Sequence, residues 1–163
     1  MLPGVRSLDI KKLPDERGFF AEILRKDWAE FLGGDEIVQA NLSASYPGMI
    51  RAWHRHRRGQ VDYFCVVQGA MKICAYDDEP GSPTHGQLDE VIASAERLQL
   101  VRIPGKFWHG TKTVSSTPSL TVYMVSRMYD PKDPDEDRRP WNDPKVIDPK
   151  LGEPFDWNRP PHK

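Results

Sequence analysis

The chain has 163 residues with 23 basic and 24 acidic side chains, a size that suits one domain with its own core and a balance that gives no overall field toward nucleic acid. Hydrophobic residues make up 38% and charged residues 29%, and no apolar run is long enough to cross a bilayer as a helix, so membrane function is not expected. The opening MLPGVRSLDIKKL has no apolar signal core or cleavage pattern, and Cys65 and Cys74 sit in separate strand-like runs; two buried structural thiols in the cytoplasm are expected.

From Val5 to Ser126 the chain breaks into short runs rich in β-branched and aromatic residues, separated by Pro, Gly, Asp and Ser clusters. This spacing predicts an all-β sandwich or barrel. Strands are expected over Phe19–Leu24, Ile37–Leu42, Met49–Arg55, Val61–Val67, Met71–Tyr76, Leu98–Ile103, Trp108–Thr113 and Leu120–Ser126. Between the first two, Lys26–Leu32 carries Trp28, Phe31 and Leu32 at helical spacing and predicts one helix of two turns. From Asp130 the composition turns dense in proline and charge, so residues 1–129 are read as the domain and 130–163 as an extended tail. The tail's isolated apolar residues, Trp141, Val146, Ile147, Phe155 and Trp157, are expected to anchor it across the domain.

The chemistry-bearing segment is Gly48-Met-Ile-Arg51-Ala-Trp-His54-Arg-His56-Arg-Arg-Gly-Gln60. Strand alternation puts His54 and His56 on one face, and His109 arrives from the distant segment Ile103-Pro104-Gly105-Lys-Phe-Trp-His109-Gly110. The remaining histidines, His85 and His162, read as ordinary polar residues. Three imidazoles meeting inside a small domain are costly to bury without purpose, and they suit either a metal site or acid–base catalysis. Strict alternation would place Arg51 and His54 on opposite faces of a flat strand, so a shared role would need a bulge or a ligand that wraps around a strand end.

Six pieces carry a resemblance: Asp15-Glu-Arg17-Gly18-Phe-Phe-Ala-Glu22; Gln39-Ala-Asn41-Leu-Ser43-Ala-Ser45; Gly48 to His54; Gly81-Ser82-Pro83-Thr84-His-Gly86; Ile103-Pro104-Gly105 with His109-Gly110; and Tyr123 with Tyr129-Asp-Pro131. In this order they resemble the dTDP-4-dehydrorhamnose 3,5-epimerases. The resemblance implies a cupin-type jelly-roll barrel, usually a homodimer, that takes a nucleotide-sugar substrate and needs no cofactor. It further implies that His54 removes protons beside a C4 ketone and that Tyr123, with Tyr129 in reserve, returns one to the opposite face. Arg17, Glu22, Gln39, Asn41 and Arg51 would hold the nucleotide sugar, with His56, Gln60, His109 and Tyr129 beside them. An arginine fork suits pyrophosphate oxygens.

The chain also departs from that pattern. Asp62 stands where the family has an enolate-stabilising lysine, and the family's late aspartate, which raises the basicity of the histidine, has no clear counterpart. Asp62 is therefore expected to orient His54 or His56, with Asp143, Asp148 and Asp156 as weaker candidates. His56 stands where the family has a glutamine, and it or Arg57 is expected to replace the missing positive charge. Other readings stay open at this point. The run from Gly48 through His54, His56 and Gln60 to Gly69 also resembles the first cupin metal motif, so His54, His56, Gln60 and His109 are the alternative ligands of a divalent transition metal. A 3,4-ketoisomerase of a 4-keto sugar and a non-catalytic sugar-binding module complete the set.

Overall fold

The computed structural model describes residues 1–159; His162 lies outside them. Two five-stranded antiparallel sheets face each other. The first has the order β1 (Arg6–Asp9), β9 (Gln99–Pro104), β6 (Val61–Gln68), β11 (Ser119–Val125), β4 (Gln39–Ser45). The second has the order β12 (Asp137–Arg138), β5 (Ile50–Arg55), β10 (Trp108–Thr113), β7 (Ala70–Tyr76), β8 (Leu88–Ser94). Among the described residues no ladder joins the two sheets, so the expected barrel is an open jelly-roll sandwich. Two short hairpins, β2 (Leu13–Asp15) with β3 (Gly18–Phe20) and β13 (Ile147–Asp148) with β14 (Glu153–Pro154), lie outside these sheets.

Sequence periodicity explains the layering. On β7, Met71, Ile73 and Ala75 face β6 residues Phe64 and Val66 and fill the space between the sheets. The alternate residues Cys74 and Tyr76 point the other way, where Trp53 of β5 and Trp108 of β10 join them. On β6 the alternate residues Val61, Tyr63 and Cys65 pack beneath Ile10, Phe31 and Leu32 from the N-terminal segments. β6 and β7 are thus covered on both faces, which is why they read as continuous apolar runs. Both thiols are buried and unpaired, and burial pushes Cys65 up to about 11 and Cys74 up as well.

The predicted two-turn helix is one turn, α1 (Ala29–Leu32), ended by Gly33 in the left-handed region. Only Phe31 and Leu32 needed burying, and one turn suffices for that. The run predicted as a strand over Phe19–Leu24 is the short arm β3 alone. Strands β1, β2 and β8 escaped prediction because Arg6–Asp9, Leu13–Asp15 and Leu88–Ser94 mix charge with few β-branched residues.

The tail crosses the outer face of the second sheet. Val146, Phe155 and Trp157 are buried there against Trp53, Cys74, Tyr76 and Trp108. Trp53 and Trp157 pack with ring centroids 4.8 Å apart and planes tilted by 45°, and Phe155 meets each edge-on. Trp141, expected as an anchor, is 45% exposed and lies outside the buried clusters of the described residues. The tail is clamped at Arg159, which pairs with Asp148 and Glu90.

Trp157→Ala should cost about 3–5 kcal/mol in urea unfolding, the usual price of emptying a buried indole site. A loss below about 1 kcal/mol would mean that the outer face holds without the tail.

Candidate active site

β5 supplies the site's first side chains, and its pairing with β10 is irregular. His109 stands opposite His54, but Thr111 stands opposite Arg51, so β5 carries one residue more than β10 over this interval. That bulge turns Arg51 and His54 to the same side, the first of the two resolutions that strand alternation left open. The crowding is visible at Gly110, where any side chain would collide with Ala52.

Between the sheets lies a cavity of about 570 Å³. Of the sequence-predicted residues, Gln39, Asn41, Arg51, His54, His56, Gln60, Tyr123 and Tyr129 line it. Asp62 and His109 lie directly behind the lining and are wholly buried. Arg17 and Glu22 are elsewhere: both are exposed, Arg17 paired with Asp15 at 2.6 Å and Glu22 with Arg25 at 2.7 Å.

Asp62 organises the centre. His109 Nε2 donates to its Oδ2 at 2.7 Å, His56 Nε2 faces the same oxygen at 3.2 Å, and Gln60 donates to Oδ1 at 2.7 Å. Burial alone would push Asp62 upward, but the bonds and charges of His109 and His56 hold it well below the usual carboxylate range. His109 also donates from Nδ1 to the carbonyl of Phe107 at 2.9 Å. Asp62 therefore serves His109 and His56, whereas His54 meets it only through the field.

His54 packs against His109 with ring centroids 4.1 Å apart, and among the described residues no side-chain hydrogen bond fixes its ring. Loss of water, then the neighbouring imidazole of His109, pull its pKa well below the ordinary value. It is neutral at physiological pH, as a base must be. His56 is also pulled down by burial, but the bond and charge of Asp62 and the carbonyl of Asp135 outweigh this and raise it. Tyr123 rises through burial and through Asp62, so its phenol stays protonated; its hydroxyl lies 3.5 Å from Gln60 Nε2.

One atom each from His54, His56, His109 and Asp62 fall within 4.8 Å of one another, a ligand set that suits a divalent transition metal. Asp62 takes the place that the sequence reading gave to Gln60. The weaker aspartate candidates lie with the tail: Asp148 pairs with Arg159, Asp143 approaches Arg139 at 3.7 Å, and Asp156 is exposed. Sequence reasoning missed Arg127 and the acidic residues Asp135 and Glu136, all in the cavity wall. A signal was available, since the acidic run Asp133–Asp137 complements the basic run Arg55–Arg58.

Facing antiparallel sheets that enclose three imidazoles, a buried carboxylate and a phenol define a cupin-type proton-transfer enzyme. The chain belongs to the dTDP-4-dehydrorhamnose 3,5-epimerase family, an isomerase family, whose model matches residues 1–148. It is 38% identical to a probable low-salt glycan biosynthesis epimerase of Haloferax volcanii, over 86% of this chain and 91% of that one. It is 34% identical to a spore coat polysaccharide biosynthesis protein of Bacillus subtilis, over 97% of each. Among solved structures, the dTDP-6-deoxy-D-glucose-3,5-epimerase of Legionella pneumophila in complex with dTDP-4-keto-L-rhamnose superposes with a TM-score of 0.79 at 32% identity, over 89% of this chain and 77% of that one.

Removing the carboxylate leaves two donors facing nothing, so Asp62→Ala should lower stability by about 3–5 kcal/mol at pH 7 in urea unfolding. Because the folded carboxyl is depressed, its contribution is present above the ordinary value of about 3.9 and is lost as pH falls below it. The parent should therefore lose stability on acidification below about pH 4 more steeply than Asp62→Asn; parallel curves would remove Asp62 as the source.

Proposed function

We propose that the protein epimerises a dTDP-4-keto-6-deoxyhexose at C3 and C5, in deoxysugar and cell-surface polysaccharide biosynthesis in the cytoplasm. One observation carries the reading: His54 on β5 and Tyr123 on β11 line one cavity from opposite sheets. A sugar ring held between them has a neutral imidazole on one face and a protonated phenol on the other.

The C4 ketone acidifies the neighbouring C–H bonds. His54 takes the proton, the bonding pair moves toward the ketone oxygen, and an enolate forms. Tyr123 then protonates the carbon from the other side, and solvent restores both groups. Of the two side chains expected to replace the positive charge absent at position 62, His56 lines the cavity and Arg57 does not. Arg51 and Arg127 also line it, and among the described residues neither has a carboxylate partner, which leaves both guanidinium groups for a diphosphate. Arg51 is pre-aimed by Ser45 Oγ at 2.9 Å and the Ala44 carbonyl at 3.1 Å. Gln39, bonded to Asn41 at 2.9 Å and to the backbone of Tyr129 at 3.0 Å, forms the remaining polar wall for the nucleotide.

We also propose a homodimer. The hairpin β2–β3 exposes Leu13, Phe19 and Phe20 at 46%, 58% and 63%, too much apolar surface on one small element to leave in water. Covering that hairpin with a second copy gives Arg17 and Glu22, remote from their own cavity, a route to the partner's.

The ligand set of His54, His56, His109 and Asp62 favours a second reading, a metal-dependent reaction on the same scaffold. Stoichiometric Fe, Mn, Ni or Zn in the purified protein, lost together with activity on chelation, would replace the metal-free reading.

The deciding experiment is incubation with dTDP-4-keto-6-deoxyglucose in deuterated water, followed by NMR. Label at C3 and C5 is expected; a 3-keto product marks a ketoisomerase, and binding without label a sugar-binding module. In that assay His54→Asn should lower exchange by about two to four orders of magnitude, while Tyr123→Phe should slow epimerisation and leave part of the C3 exchange. Parental exchange in His54→Asn would cancel the assignment of the base. For the dimer, mixing Arg17→Ala chains with His54→Asn chains should regain activity that neither has alone, and a monomer in sedimentation at assay concentration would overturn it.

A further inference from the structure

The basic run Arg55–His56–Arg57–Arg58 is a departure from the family pattern, and the structure gives it an acidic counterpart. Residues 130–138 run along the rim of the cavity, and Asp135 and Glu136 belong to its wall. Asp135 is tied to the turn after β5 in three ways. Its two carboxylate oxygens accept from the backbone N–H groups of Arg57 and Arg58, each at 2.9 Å, and its carbonyl accepts from Nδ1 of His56. Beside it Arg58 forks onto Asp133 at 2.7 and 2.8 Å, and Asp137 accepts from Arg55 and Arg57. β12 secures the C-terminal end of this segment by pairing with β5 at Arg55 and His54, and exposed pairs such as Arg58–Asp133 contribute little each, so the half-buried Asp135, with three acceptor bonds, is the attachment that holds the segment beside His56.

The bond at Nδ1 has a consequence inside the cavity. It fixes which nitrogen of His56 bears a proton toward the rim and turns the ring so that Nε2 points at Asp62. That nitrogen is buried and makes no well-aligned hydrogen bond. Among the described residues nothing else holds Nδ1, so the carbonyl of Asp135 is what keeps the imidazole in place.

We propose that residues 130–138 are a strap that completes the reaction centre, and that Asp135 is a positioning residue acting through His56. The proposal rests on the reading of the cavity as a proton-transfer site for a nucleotide sugar. Asp135 touches no reacting atom. It seats the strap, the strap holds the ring of His56 beside Asp62, and turnover depends on that placement more than substrate binding does.

The test uses Asp135→Ala, Asp135→Asn and the reversed pair Arg58→Asp with Asp133→Arg. Steady-state kinetics on dTDP-4-keto-6-deoxyglucose is one readout. The other needs no substrate: the ring ¹⁵N–¹H signals of histidine-labelled protein, with His56→Gln assigning the His56 resonance. Asp135→Ala should lower kcat roughly ten- to hundredfold with KM changed less than about threefold, the pattern of a misplaced group. Its His56 Nδ1–H signal should be lost to exchange with water. Asp135→Asn, which keeps one of the two backbone bonds, should fall between, and the reversed pair should recover what each single reversal loses. Parental kcat with an unchanged ring signal in Asp135→Ala overturns the proposal, and so does lost activity with an unchanged signal. If Asp135→Ala does not fold, Asp135→Asn decides by the same two readouts. If the parent turns over no nucleotide sugar, the proposed function fails, while the ring signal still judges the strap.

Discussion

A fully buried carboxylate is the constraint on which this molecule is arranged. Placing Asp62 between two sheets costs several kcal/mol unless donors surround it, and each charge-assisted bond returns about 1.5–3 kcal/mol. Its surroundings come from three places: His109 donates from β10, Gln60 donates from the lead into β6, and His56, just past β5, brings its imidazole within 3.2 Å. No local stretch of chain could supply them. Only the facing of the two sheets does, so the packing that satisfies the buried charge is the same packing that assembles the site.

This also explains the division of labour among the histidines. Two are committed to the carboxylate and are fixed at their other nitrogen by backbone carbonyls, Phe107 for His109 and Asp135 for His56. The third, His54, lies against them without a bond of its own and is kept neutral by its surroundings. A ring that must accept and release protons is better left unbonded, and rings that surround a buried carboxylate are better clamped. The phenol of Tyr123, on the strand next to Asp62 in the first sheet, is held protonated by burial and by the same carboxylate.

Much of this was legible before any coordinates. The period-2 runs gave most strands of the two sheets, and the disagreement between the alternation and the shared role of Arg51 and His54 left a bulge or a wrapped ligand, of which the pairing shows the bulge. What could not be read was partnership over distance. Asp62 was expected beside His54 or His56 by strand adjacency, and it does face His56, but its 2.7 Å bond to His109, 47 residues away, had no signal in the sequence. Arg17 and Glu22 were assigned by motif alone, and one chain leaves them outside the cavity. The one-turn helix and the exposed Trp141 show the limit of side-chain spacing, because burial is decided by what arrives opposite, and periodicity is silent on that.

The indole-rich cover on the second sheet bears on how the chain is made. Trp53, Cys74, Tyr76 and Trp108 are all translated before Val146, Phe155 and Trp157, the residues that shield them. At the ribosome the sheet therefore exists for a time with an open greasy face, and the last tens of residues act as a built-in chaperone that arrives late. A nascent chain halted anywhere between Thr113 and Val146 would hold every strand of that sheet's centre and nothing to keep it from its neighbours on a polysome.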